Sequence, residues 1–287
     1  MINERFDRNI RFFGKEGQQR LAASHVAVVG IGGLGTHVVQ QLALLGVGHL
    51  TLIDKEGLDK TNMNRYVGVR HDDPIGTPKV ELGARLVREI NPNISIRPLP
   101  ASFVSDEGFA AIREADYVFG CLDSEGLRLI LNEVCAAYAK PYIDLASEIH
   151  PGNPPTYGGR VCVAWDGDGC IVCLGELDLA EAGRDLEAPE SRRNREAIYG
   201  VPQDFLGEAG PSVVSINGVV ASLGVTEFML GVTGVRPPRK VCRYYGNMGR
   251  PTQQDPISPE DCYYCKGIRG KGEVANVGRY IREGRNL

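Results

Sequence analysis

The sequence has no uninterrupted apolar run of membrane-spanning length. Its nearest candidate, Ser212 to Leu230, is broken by Asn217, Thr226 and Glu227, and a span needs roughly 20 predominantly apolar residues. We read it as a buried helix and expect no membrane association. Neither sign of charge dominates. The balance of 32 basic and 36 acidic residues gives 32 − 36 = −4, so no electrostatic footprint points to nucleic acid. The five histidines show neither metal nor catalytic spacing, and no Ser/His/Asp set stands out. The first residues carry charge from Glu4 onward and do not resemble a signal peptide, so a cytoplasmic location is expected. Disorder throughout is excluded by a 43% hydrophobic composition.

What is present is an alternation of strand and helix signals. His25–Gly30 is an apolar run closed by glycine, as in a buried parallel strand, and a helix over 33–46 follows. Leu50–Asp54 reads as a second strand, Ile94–Pro98 as a third, Asp116–Gly120 as a fourth and Tyr142–Leu145 as a fifth. Helical spacing occupies 4–22, 78–90 and 126–139. This order predicts an α/β fold with a doubly wound, Rossmann-like, mostly parallel sheet. After His150 the pattern changes. Gly159–Trp165 alternates like an antiparallel strand, Lys240–Tyr245 is another strand candidate, and 175–209 is charged without apolar periodicity. The expectation is one domain over 1–287. It comprises a helical arm (1–22), a nucleotide-binding core (23–150) and a second half (151–287) that extends the sheet antiparallel and carries a mobile loop at 175–209.

Eight cysteines are expected to be reduced in a cytosolic chain. Two pairs have CxxC spacing, Cys170/Cys173 and Cys262/Cys265, separated by 88 residues. Two such pairs read as a structural tetrahedral Zn²⁺ clamp, since four thiolates leave no open position for catalysis.

Gly30-Ile-Gly32-Gly33-Leu-Gly35 follows a strand and opens a helix. That context suits a nucleotide, because the glycines permit a tight turn and close approach of phosphate. Asp54, ending the next strand, can bond ribose hydroxyls. Beyond it stand Arg65 in Thr61-Asn62-Met-Asn-Arg65, Lys79 in Gly76-Thr-Pro-Lys79, and Asp123 in Cys121-Leu-Asp123-Ser. Two cations and a spare carboxylate at the carboxyl edge of a sheet exceed the needs of a dinucleotide. They suit a triphosphate, with Asp123 able to hold Mg²⁺.

These motifs in this order, with Gly14-Lys-Glu-Gly17-Gln18-Gln-Arg-Leu21 downstream of Arg8, closely resemble the ubiquitin-activating enzyme superfamily, in particular its ThiF/MoeB/HesA-type adenylyltransferases. The resemblance covers about residues 5–266. It implies a homodimer that uses ATP to adenylate the C-terminal Gly-Gly of a small ubiquitin-like or sulfur-carrier protein. It further implies Asp54 on ribose, Asn62, Arg65 and Lys79 on phosphates, Asp123 on Mg²⁺, and Arg8 reaching into the partner's site. Relatives that form a thioester carry a cysteine in the loop before the long helix, but here nothing between Cys173 and Pro211 is cysteine, and Leu206 takes the comparable place. The adenylate is therefore expected to pass to a conjugating enzyme's thiol, an amine or a sulfur donor. Two rival readings remain: an NAD(P)-dependent oxidoreductase on the same glycine loop, and a non-catalytic module that only binds ubiquitin-like proteins.

Overall fold

The computed structural model describes residues 4–150, 152–187 and 210–283. One eight-stranded sheet runs through the chain in the order β3-β2-β1-β4-β5-β6-β7-β8. Its strands are β1 (His25–Val29), β2 (His49–Ile53), β3 (Ser95–Leu99), β4 (Tyr117–Gly120), β5 (Tyr142–His150), β6 (Thr156–Ala164), β7 (Val241–Tyr245) and β8 (Arg250–Gln254). The first five are parallel and the last three join antiparallel, as the mixed patterning of the sequence predicts.

Both faces of the sheet are covered, which is why β1 reads as a continuous apolar run rather than alternating. Val26 and Val28 point into a core shared with α1 (Asp7–Ala23), α2 (Gly33–Leu45), α3 (Lys79–Ile90) and α7 (Val214–Thr233). Ala27 and Val29 face the other core, against α4 (Asp106–Glu114) and α5 (Glu125–Ala137). Helix α7 is long and apolar enough by composition to cross a membrane. Its Val220, Val225 and Phe228 lie in the first core, and its Glu227 is buried in a bidentate pair with Arg236, with both contacts at 2.7 Å. It is a core helix.

The arm is helical as expected, and Gly14, at φ 78° inside α1, kinks it. One expectation needs correction. Residues 175–187 are not structureless: Asp178 accepts hydrogen bonds from the Ala180 and Glu181 amides and starts α6 (Leu179–Asp185), which buries Ala182. A side-chain cap of this kind stabilises a helix too short to show periodicity. The remainder of the expected mobile loop, 188–209, lies outside the described residues. Helix α4, capped by Ser105 on the Gly108 amide at 3.0 Å, and edge strand β8 add elements that the apolar pattern does not mark.

Candidate active site

Strands β1 and β4 are neighbours, yet the chain leaves them in opposite directions, to β2 and to β5. The crevice at their carboxyl ends is the switch point where ligands bind in open α/β sheets. The glycine loop fills one side of it. Gly30 has φ 89°, and a Cβ there would lie 2.5 Å from the Cys121 carbonyl oxygen. A Cβ at Gly35 would lie 1.9 Å from the Gly30 carbonyl oxygen. Both positions exclude any side chain, so the loop is held flush against β4. Helix α2 then starts at Gly33 with no side-chain cap, leaving its first amides for an anion.

Asp54 locks this loop to the end of β2. Its carboxylate accepts from the Ile31 amide at 2.7 Å and the Glu56 amide at 2.8 Å. Burial raises its pKa, and those two bonds and Lys79 oppose the rise. Each oxygen retains a lone pair for a ribose hydroxyl. Lys79 is buried, with its ammonium 2.5 Å from Glu56. An isolated Gly57–Pro78 bridge brings the two segments together. Arg65 donates from Nη1 to the Thr61 carbonyl at 2.6 Å and to Asn64 at 3.1 Å. Asn62 accepts from the Asp59 amide at 3.1 Å in a reciprocal cap of the turn, so this side chain shapes the loop that carries Arg65.

Asp123 is exposed beyond β4 and makes no hydrogen bond among the described residues. What holds its turn is a buried ionic group that the sequence reading missed. Asp144, fully buried in β5, receives Arg128 at 2.8 Å and also pairs with Arg160. Arg128 donates to the Leu145 carbonyl at 2.9 Å and to the carbonyl of Leu122, the residue before Asp123. Burial would push the Asp144 pKa up, but the two guanidiniums outweigh it and hold it below the usual carboxylate range. From α6, Asp185 accepts from the Ser124 hydroxyl at 2.8 Å and the Gly126 amide at 3.0 Å. Charged residues inside predicted apolar elements were the only signal, and their partners are distant in sequence.

Arg8 is not brought to this cluster. It is exposed in the first turn of α1, and that turn is docked beside Ile90 and Gly46 through Arg5 and Phe6. Gly46 and Ile90 precede β2 and β3, at the opposite edge of the sheet.

The four paired cysteines do converge. Cys170, Cys173, Cys262 and Cys265 present sulfurs all within 4.8 Å of one another. Three of the sulfur separations are 3.8, 3.9 and 3.7 Å. A tetrahedron with Zn–S of about 2.3 Å has edges of about 3.8 Å, which these three separations match, so the donor set suits a zinc ion. The cluster ties the turn after β6 to the segment after β8.

Comparisons with known proteins bear on the family and the fold. The chain is 38% identical over 142 residues to the SAMP-activating enzyme E1 of Haloferax volcanii, a match over 49% of this chain and 52% of that one, about half its length. It is 36% identical over 175 residues to the molybdopterin-synthase adenylyltransferase of Escherichia coli, covering 60% of this chain and 68% of that one. The crystal structure of Escherichia coli MccB with MccA-N7isoASN superposes with a TM-score of 0.72 at 21% identity, over 92% of this chain and 75% of that one, which is a likeness of fold. The family model described as the ThiF family matches residues 6–260, nearly the stretch over which the motifs run, and the chain therefore belongs to that family.

Proposed function

We propose that this protein is an ATP-dependent adenylyltransferase that activates the C-terminal carboxylate of a small ubiquitin-like or sulfur-carrier protein as an acyl-adenylate. The observation that carries the reading is the switch-point cluster: Asp54 clamped to the Ile31 amide, with Lys79, Arg65 and Asp123 around the same crevice. Relatives named as adenylyltransferases and as an activating enzyme favour it over an oxidoreductase. The test is ATP–pyrophosphate exchange dependent on the protein substrate; a nicotinamide absorbance change without exchange would sink the proposal.

In this reading the substrate carboxylate attacks the α-phosphorus and pyrophosphate leaves. No general base is required, because a carboxylate is already ionised at pH 7. Catalysis reduces to alignment and charge neutralisation. Asp54 holds the ribose, Asn62 shapes the phosphate loop, and Arg65 and Lys79 neutralise phosphate. Mg²⁺ carried with the nucleotide needs only one or two protein carboxylates, and exposed Asp123 suits that role. The protein acts in the cytoplasm as a homodimer. Helix α7 supports the dimer, since it leaves Val213, Val214 and Val219 exposed near its start. The sequence favours neither a conjugating enzyme nor a sulfur donor as the next partner.

The zinc clamp is part of the proposal. Purified protein should hold one zinc per chain, and Cys265→Ser should lose it. Binding free energy at such a site adds to folding stability, so a melting-point drop of about 10 °C is expected. Full zinc content in that variant would show that the cluster is wrongly assigned.

No thioester is expected on the enzyme. Cys135, Cys162 and Cys242 are buried, and burial pushes the thiols of Cys121, Cys135 and Cys162 up and that of Cys242 to about 12, so thiolate is scarce. Incubation with ATP and substrate followed by non-reducing electrophoresis should give no thiol-sensitive adduct; one mapping to any of these four cysteines would refute the expectation.

A further inference from the structure

Asn217 is a physical oddity. It lies in an apolar helix, is 1% exposed, and would cost stability there unless both ends of its amide were bonded. Both are. Its Oδ1 accepts from the Ser147 hydroxyl in β5 at 2.7 Å, and its Nδ2 donates to the Ser212 hydroxyl at 3.1 Å. The amide is thereby fixed at a junction between β5 and the start of α7, and it also lies over the glycine loop. A Cβ added to Gly33 would fall 2.7 Å from Asn217 Nδ2, and 3.0 and 3.1 Å from Arg65 Cγ and Cδ. The amide and the arginine stem both crowd the space over this one glycine, which has no room for a side chain beneath them.

We infer that Asn217 is a positioning residue of the nucleotide site, acting through Arg65; this rests on the ATP reading above. Arg65 has no carboxylate at ion-pair distance among the described residues, and its two hydrogen bonds both use Nη1. Its remaining donors are left for an anion. A long guanidinium side chain loses rotamer freedom when it binds phosphate, and a stem already confined loses less. Gly33 confines it from below and the Asn217 amide from the side, while Thr61 and Asn64 hold the head. Asn217 thus preorders a cation that it does not itself replace.

The test is a double-mutant cycle on full-length protein, read as the dissociation constant for Mg–ATP by equilibrium binding. Asn217→Ala should weaken binding about 5- to 10-fold in the wild-type background and change it less than 2-fold in Arg65→Ala. Contacts that act through one another are non-additive in this way, whereas a general loosening of the fold would weaken both backgrounds equally. Ser147→Ala removes only the anchor of the amide and keeps Asn217. It should give a smaller loss, again absent in Arg65→Ala, and it decides the matter if Asn217→Ala does not fold. Equal losses in both backgrounds, or no loss in the wild-type background, would overturn the inference while the ATP reading stands. Absence of Mg–ATP binding by the wild-type protein would overturn both.

Discussion

Asp123→Ala is expected to abolish ATP–pyrophosphate exchange and to leave the fold intact. The two effects separate because of where Asp123 stands. It is exposed at the end of β4 and bonds to none of the described residues, so its removal leaves no buried group unsatisfied, and stability should change by no more than about 0.5 kcal/mol. In the proposed role, losing Asp123 as a metal ligand removes electrostatic stabilisation where charge develops, a deletion that typically costs ~10²–10³ in rate. Lys79→Ala should lose activity on the same scale by a different route. The lysine is buried while its partner Glu56 is 60% exposed, so Glu56 keeps its water and the missing charge is felt chiefly by phosphate. Asp54→Ala is a poorer probe, because it also frees the Ile31 and Glu56 amides. Exchange and melting temperature measured on the same preparation decide the matter, and near-wild-type exchange in Asp123→Ala rules out its metal role.

The parts of this site that the sequence made legible are those placed by short-range rules. A strand end fixes where Asp54 and Asp123 emerge, and the glycine spacing fixes the turn between β1 and α2, so local pattern was enough to bring them to one edge. What was not legible depends on pairs distant in the chain. Arg128 and Asp144 meet across α5 and β5, and Arg160 joins them from β6; each alone is a charge inside a predicted element, with nothing local to name its partner. Asn217 looked like an interruption of an apolar helix, and only its neighbours Ser147 and Gly33 give it a task. Helix α6 escaped because seven residues hold too few turns to display a period. The cysteine pairs were readable because CxxC spacing is itself local, and the fold had only to join two such units.

Arg8 gives the sharpest expectation about assembly. The resemblance assigns it a phosphate to neutralise, but its helix starts at the amino ends of the strands, where Phe6 packs on Gly46 and Arg5 bonds the Ile90 carbonyl at 2.5 Å. The glycine loop and Asp123 stand at the carboxyl ends. Strands such as β1, with five residues, span about 16 Å, so Arg8 cannot serve its own crevice while this turn stays docked. Delivery to a two-fold partner removes the conflict. Arg8→Ala alone and Asp123→Ala alone should each be inactive. Co-expressed with random pairing, half the dimers are mixed. In each mixed dimer the Arg8→Ala chain keeps its own Asp123 and receives an intact Arg8 from its partner, while the other site lacks both groups. One working site in two, in half the dimers, returns roughly a quarter of wild-type exchange. An arginine acting within its own chain would leave every site defective and return nothing. A co-expressed sample no more active than its parents, with mixed dimers confirmed by mass, would exclude the shared site.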